Sequence, residues 1–286
     1  MANNWIYKCH VEVQTKTGRL KFFYDKWDGN TEIHFKSPFS NEAKKQITEI
    51  ELFNINVNDW NRIQVGDHVE LWGGFNNDIG LIMQGTIFKA TIPTMSEADT
   101  SYKLLVLDGE DYTKRAKLNL TFGNNTKAST IIRQVANSAG INLNFVSLMI
   151  DKNYNEGFTA DDHPMDVLNQ LAQDTKSSLF YLRGRLTFRY IFDKNSFSQF
   201  DLSNETGLIE LPTRESRNDD WEDFEDDDDG LGIWSYNVKC IFNYRLTTFA
   251  YVNIKSRYLN TGVKVTEGEH TFDGVKAETS FTGVSC

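Results

Sequence analysis

The sequence predicts a mainly β protein with a smaller α+β part, arranged as two β-barrel domains flanking a helix-containing α+β domain. Three observations predict it. Short runs of alternating apolar and polar residues fill the chain from Trp5 to about Asp111 and recur after Leu208. Between them, from Lys127 to Lys176, the apolar spacing changes to the helical period. Glycine turns separate the short strands, a pattern that suits closed or nearly closed sheets. The boundaries that follow are 1–111, 112–200 and 201–286.

In the first region, Cys9-His10-Val11-Glu12-Val13 alternates and Leu20 to Tyr24 is aromatic-rich, with Lys16-Thr17-Gly18-Arg19 as the turn between them. Glu32 to Lys36, Ile50 to Ile55 and Asp67 to Trp72 alternate in the same way, the last after the turn dipeptide Val65-Gly66. Gly80 to Ala90 and Tyr102 to Gly109 complete the strand set, and one helix is expected to interrupt it around Asn41 to Gln46.

The middle region opens with an amphipathic helix. Ala128, Ile131, Ile132, Val135, Ala136 and Ala139 recur at helical spacing, and Gly140 stands where a glycine stops a helix. A second helix is predicted from Pro164, a favoured first helical residue, with Asp162 or His163 before it as cap and Val167, Leu168, Leu171 and Ala172 on its apolar face. Leu179 to Leu182 and Arg185 to Tyr190 then read as a hairpin around Arg183-Gly184. The last region supplies strands at Leu208 to Pro212, Tyr236 to Phe242, Phe249 to Ile254 and from Gly274 onward.

Composition bounds the function. The chain has 286 residues, of which 40% are hydrophobic and 13% aromatic, enough for several cores. Its apolar runs are strand-sized, far short of the roughly 20 residues of a membrane helix, so no membrane insertion is expected. The opening residues lack a basic segment followed by an apolar one, which predicts no secretory signal. Cys9, Cys240 and Cys286 form no CxxC pair, which argues against a disulfide framework or structural zinc and fits folding in a reducing cytoplasm. The net charge is −10, but nine acids lie between Asp219 and Asp229, and the rest of the chain sums to about −1. A nearly neutral body without clustered Lys and Arg has no footprint for wrapping nucleic acid.

No catalytic set is legible. His10, His34, His68, His163 and His270 share no metal-binding spacing, and the nucleophile elbow, phosphate loop and dinucleotide fingerprint are all missing from the sequence. No catalytic residue, metal ligand or cofactor is therefore assigned. The remaining candidate site is the acidic loop 215–232, with Asp219, Asp220, Glu222, Asp223, Glu225, Asp226, Asp227, Asp228 and Asp229, and with Trp221 and Phe224 as candidate anchors against a neighbouring subunit. Three readings stay open for it: a solvated loop, a channel lining that repels a passing polyanion, or loose cation binding, which its unbroken block of carboxylates disfavours. Shortening it is expected to leave the fold intact.

Three stretches carry a resemblance to a known family. The first is Val65-Gly66-Asp67-His68-Val69-Glu70-Leu71-Trp72-Gly73-Gly74, with Gly80 to Ile87 and Leu107-Asp108-Gly109-Glu110. The second is Thr130 to Ala136 through Ala139-Gly140-Ile141, then Pro164 to Ala172, Phe180-Tyr181 and Gly184-Arg185-Leu186. Gly207 to Pro212, Val238 to Leu246 and Gly268 to Gly274 make the third. In this order they resemble the baseplate hub proteins of phage tails, the late control protein D-like family and the N-terminal parts of tail-associated proteins.

The resemblance implies a homotrimer whose six similar barrels form a pseudo-hexameric ring that joins the tail tube to a spike or tip and lets DNA pass. Partners implied are the tail tube protein or distal tail ring, the spike or tip protein, and wedge or other baseplate proteins of a phage tail or contractile injection system. The implied location is the virion, with assembly in the host cytoplasm. The acidic insertion is longer than the family pattern leads one to expect, and lytic or spike activities are expected to reside in separate proteins. Two other classes compete. A carbohydrate- or receptor-binding tail module would use Trp27, Trp60 and Trp72 as sugar platforms, and a cell-wall hydrolase would need a marked carboxylate pair that the sequence does not display.

Overall fold

A computed structural model describes residues 6–25, 31–96, 98–145, 147–193, 198–215 and 234–285. The first region contains β1 (Tyr7–Thr15), β2 (Gly18–Asp25), β3 (Ile33–Ser40), β4 (Ile47–Phe53), the one-turn helix α1 (Val57–Trp60), β5 (His68–Phe75), β6 (Asp78–Ala90), β7 (Thr94–Met95) and β8 (Thr100–Asp108). The alternation read from the sequence is the cause of its packing. In β1, Cys9, Val11 and Val13 are fully buried, while His10 and Glu12 face the other side of the sheet. These side chains meet Ile33, Ile50, Leu52, Val69, Leu71, Leu104 and Val106 in one core. The strands run antiparallel in the order β2-β1-β5-β6-β8-β4-β3.

The helix expected around Asn41 to Gln46 does not form; residues 41–44 are bends between β3 and β4. Asn41-Glu42-Ala43-Lys44-Lys45-Gln46 offers Ala43 as its only apolar side chain, too little to stabilise an isolated turn, and the Ser40 hydroxyl takes the Glu42 N–H instead. Helix occurs at α1, where the Asn56 side chain accepts from the Asn58 N–H at 2.8 Å.

A short 3-10 turn at Tyr112–Lys114 leads into β9 (Leu120–Phe122), β10 (Thr126–Lys127), α2 (Ala128–Ser138), β11 (Leu143–Phe145), β12 (Asn153–Tyr154), β13 (Phe158–Ala160), α3 (Pro164–Asp174), β14 (Ser178–Leu182) and β15 (Arg185–Arg189). Helix α2 buries Ala128, Ile131, Ile132, Val135 and Ala136 as its spacing requires, and Gly140 adopts φ +63° beyond its end. Helix α3 has Pro164 in its first turn and packs Val167, Leu168 and Leu171 against the same core. His163 occupies the residue before α3, but its side chain makes no capping bond; the ring Nδ1 lies 3.0 Å from the Arg115 carbonyl oxygen.

The last region holds β16 (Gln199–Ser203), β17 (Thr213–Arg214), β18 (Ser235–Ile241), β19 (Tyr251–Lys255), β20 (Asn260–Phe272) and β21 (Ala277–Ser285). Strand β20 is the element that unites the molecule. Its first part pairs with β19, and after a bulge between Val265 and Glu267 its second part pairs with β3, from Glu267 opposite Ser40 to Phe272 opposite Phe35. The result is a single 14-stranded sheet running from β17 to β2, which encloses separate cores in the first and last regions. No ladder among the described residues closes either region.

Aromatic rings fill the seam where β20 meets β3. Phe242 and Phe272, from the last region, sit in the first core, with their centroids 5.1 and 4.4 Å from that of Tyr7. His270 lies at the same seam, 2% exposed, between Phe39 and Phe242.

Candidate functional site

The acidic residues Asp219, Asp220, Glu222, Asp223, Glu225, Asp226, Asp227, Asp228 and Asp229, with Trp221 and Phe224, lie outside the described residues. The base from which they depart is described. The Arg214 guanidinium carbon lies 3.2 Å from the Trp234 ring centroid, the Glu215 N–H donates to the Ser235 carbonyl, and Trp234 and Ser285 bond each other through Trp234 N–H to Ser285 Oγ and Ser285 N–H to Trp234 O.

The described residues converge most densely elsewhere, where the tip of the β14–β15 hairpin meets both β regions. Leu182 pairs with Arg185, leaving Arg183 and Gly184 as a tight turn at φ +48° and +82°. Positive φ at both central residues is the turn that matches the right-handed twist of two strands, and it favours glycine at the second position. The tip lies on β6: a Cβ on Gly184 would stand 2.4 Å from Gln84 Cγ and 2.7 Å from Gln84 O. Gln84 Nε2 in turn donates to the Arg183 carbonyl at 2.9 Å. Gly109, at φ +72°, is equally confined, because a Cβ there would meet Tyr181 and the Gly184 carbonyl at 2.7 to 2.8 Å.

Polar groups complete the junction. Asp108 is buried and accepts a hydrogen bond from the Gly184 N–H, yet desolvation dominates and pushes its carboxyl up to about 7. The Tyr181 hydroxyl donates to the Glu110 carbonyl at 3.0 Å. On the other side, Arg183 Nη2 donates to the Tyr244 carbonyl at 2.7 Å, and the Tyr244 ring covers Gly80 of β6 so closely that any Cβ there would overlap it. Asp78 accepts from the Tyr244 hydroxyl at 2.9 Å and from both terminal nitrogens of Arg245 at 2.5 and 2.6 Å. Such forked pairing is the strongest arrangement open to a guanidinium and a carboxylate, and it holds the Asp78 carboxyl below its usual range.

The other predicted features take structural places. His10 stacks on Trp72 at 5.8 Å and lies 3.4 Å from Glu12; His34 pairs with Glu32 at 2.8 Å; His68 is 3.7 Å from Glu70. Trp60 is half-buried and packs at the edge of the first core against Tyr102, with ring centroids 5.0 Å apart. Trp72 donates to Glu70. Trp27 lies outside the described residues. Cys9 and Cys240 are buried thiols, Cys240 pushed up to about 12 by desolvation, which suppresses the reactive thiolate. Among the described residues, no three His, Cys, Asp or Glu side chains are grouped to hold a metal ion.

No family model matches the chain, and no curated protein does. Solved structures do. The 43 kDa tail protein of prophage MuSo2 from Shewanella oneidensis superposes with a TM-score of 0.64 at 11% identity, covering 96% of this chain and 98% of that one. The fold is that of phage tail proteins. A tail protein from Neisseria meningitidis gives 0.64 at 9% identity with 96% of both chains covered. An Escherichia coli component of the type VI secretion system, described as structurally similar to the bacteriophage T4 tail proteins gp27 and gp5, gives 0.63 at 10% identity over 90% of this chain and 74% of that one. The fold resemblance that the sequence carried in three stretches thus spans the whole tail-protein fold, at an identity that leaves individual residue roles to be argued from this chain alone.

In the sequence, Asp108-Gly109 and Arg183-Gly184 are parts of strands and turns and do not stand out as a site. Their signal is the pair of glycine turns, but only the tertiary structure brings them against each other and Arg183 against Tyr244.

Proposed function

We propose that this chain is a non-catalytic structural subunit of a baseplate hub, forming a homotrimer whose two β regions per chain, each a barrel-like unit, make a pseudo-hexameric ring between the tail tube and a spike or tip. The observation that carries the reading is the tail-protein fold shared from end to end with the Shewanella and Neisseria proteins. The seam supports it: pairing of β20 with β3 fixes the two β regions relative to each other through main-chain bonds, so that three copies present six β units in constant spacing, as a closed ring requires. The units divide as 1–111, 112–200 and 201–286, with the helix-bearing middle part bracing the two β regions at the hairpin tip. DNA passes through the ring, the acidic run faces a lumen or a neighbouring subunit, and the protein resides in the virion baseplate after assembly in the host cytoplasm.

Solution mass by light scattering, across a range of protein and salt concentrations, tests this reading. A trimer, or a monomer–trimer equilibrium that rises with concentration, is expected, with three-fold rings in electron micrographs. A monomer at every concentration, both alone and mixed with its tail tube and spike proteins, would overturn it.

A further inference from the structure

The two β regions repeat one strand order: β3-β4-β8-β6-β5-β1 in the first matches β17-β18-β21-β20-β19-β16 in the last. The match departs only at its end, where β16 runs parallel to β19 while β1 runs antiparallel to β5. The bulges match as well. Strand β20 shifts register against β21 between Val265 and Glu267, and β6 shifts against β8 between Ile87 and Lys89. Each bulge is held from the same side: Val265 bonds the main chain of Phe249 and Ala250, and Ile87 bonds that of Gly66 and Asp67.

Beyond its bulge, β20 pairs with β3 and makes the seam. Beyond its own bulge, β6 and the residues leading through β7 pair with β8 alone among the described residues. The far edge of β17, the strand that matches β3, likewise pairs with no described strand. The molecule therefore carries one filled seam and the two halves of another. Both halves show apolar side chains to solvent: Phe88, Ile92 and Met95 on one, Ile209 and Leu211 on the other. The contrast is sharpest at one position. His270, five residues after Val265, is 2% exposed inside the seam, whereas Ile92, five residues after Ile87, is 88% exposed. An unpaired strand edge beside exposed apolar side chains is a template for strand addition.

We propose that the two halves meet between molecules: residues 88–95 of one copy add as a strand to the edge formed by residues 209–215 of a second copy, repeating the seam. The register follows from the repeat. Lys89 and Glu267, the first residues past the bulges, lie opposite Leu105 and Thr282. These lie opposite Glu49 and Asn237, and those in turn opposite Lys36 and Thr213. Arg214 therefore corresponds to Ser37. In the seam His270 is opposite Ser37, so Ile92 falls opposite Arg214 of the second copy. Pro93 and Pro212 are compatible with such an edge, since Pro38 already stands on the paired edge of β3, opposite Glu269. Two different edges meet, so the contact is head-to-tail and closes into a ring instead of a two-fold dimer. The inference rests on the trimer reading and names the contact that would build it.

Directly opposed residues of neighbouring strands hold their Cβ atoms about 5 Å apart, close enough for a disulfide to test the register. The full chain is used with Cys286→Ser, which leaves only the buried thiols Cys9 and Cys240. Ile92→Cys and Arg214→Cys are made in separate chains, assembled alone and with the tail tube and spike proteins, and oxidised. An equal mixture of the two is expected to give a disulfide-linked dimer, and neither variant by itself should link. Ile92→Asp, at an exposed side chain, is expected to weaken trimer formation at least tenfold while leaving the urea midpoint unchanged. A trimer by light scattering whose mixture links no better than the single variants would overturn the proposal and leave the hub reading standing. So would self-linking of Ile92→Cys, which marks a two-fold contact, or an Ile92→Asp chain that assembles like wild type. A chain that stays monomeric alone and with both partners would overturn the hub reading and this contact together.

Discussion

The seam and the hairpin-tip junction both join parts of this molecule, and each buries a group that burial shifts strongly within the acid-to-neutral range, but the two respond to acid in opposite directions. At the seam, burial drives the His270 ring down to about 3; its Nδ1 lies 2.9 Å from Thr279 Oγ1 and it bonds the Leu246 backbone. At the junction, burial drives the Asp108 carboxyl up to about 7. Desolvation favours the neutral form in both cases, and neutrality means losing a proton for histidine and gaining one for aspartate. The molecule thus balances a base and an acid across two joints that share little else. The seam consists of main-chain bonds and aromatic packing, whereas the junction depends on glycines at positive φ and on individual polar side chains.

Removing packing from the seam should produce the largest loss. Phe242 is 3% exposed and touches the first core from the last region. Phe242→Ala is expected to cost about 3–5 kcal/mol in urea unfolding, with a weakened coupling of the two β regions visible as a second transition. A loss below about 1 kcal/mol would mean that β-strand pairing alone holds the seam.

The pH dependence sharpens the comparison further. Between the unfolded carboxyl value near 4 and the folded value of about 7, folded Asp108 holds a proton that the unfolded chain has released, so its contribution to stability fades as pH rises through that window. Between about 3 and the unfolded imidazole value near 6.5, unfolded His270 holds a proton that the folded chain rejects, so stability fades as pH falls. Each contribution is on the order of 4 kcal/mol across its window, and in the wild type they largely cancel. Asp108→Asn should therefore be destabilised steeply between pH 6.5 and 4.5 relative to wild type, and His270→Gln should gain stability over the same interval. Parallel pH profiles for wild type and both variants, measured as urea midpoints, would show that neither joint carries a titrating group.

Glycine at the junction comes next. Gly184→Ala places a methyl in contact with Gln84 at a φ of +82°, and both strain and overlap should cost about 2–3 kcal/mol. Gly140→Ala is the control: it shares a positive φ, +63°, but meets no atom within 4 Å, so about 1 kcal/mol of backbone strain is all it should lose. Equal losses at the two positions would show that the hairpin tip is not tightly seated.

Much of this fold was legible in the sequence because alternation and helical spacing are local. Cys9, Val11 and Val13, or Ile131, Ile132 and Val135, announce a buried face to any reader of their spacing. Strand β20 did not announce its two partners: Glu267 to Phe272 reads as the end of a chain segment, and nothing local says that it pairs with Phe35 to Ser40, more than two hundred residues earlier. The junction was invisible for the same reason. Asp108 and Gly184 are ordinary members of turns until the fold places one against the other, and a buried carboxylate has the same letter as an exposed one. The expected helix at Asn41 to Gln46 does not form because the segment has no apolar face to bury.

The smallest effect belongs to a place that is neither seam nor junction. Arg214 stacks on Trp234 at the base of the acidic run, on the outermost strand of the sheet. An exposed cation over an indole contributes about 0.5 kcal/mol, and β17 pairs with β18 through only Thr213 and Arg214. Arg214→Ala should therefore leave the urea midpoint within about 0.5 kcal/mol of wild type while speeding amide exchange at Glu215, whose N–H bonds the Ser235 carbonyl. Faster exchange spreading into β18 and β21 would contradict this, because it would make the base of the acidic run part of the same cooperative unit as the last core.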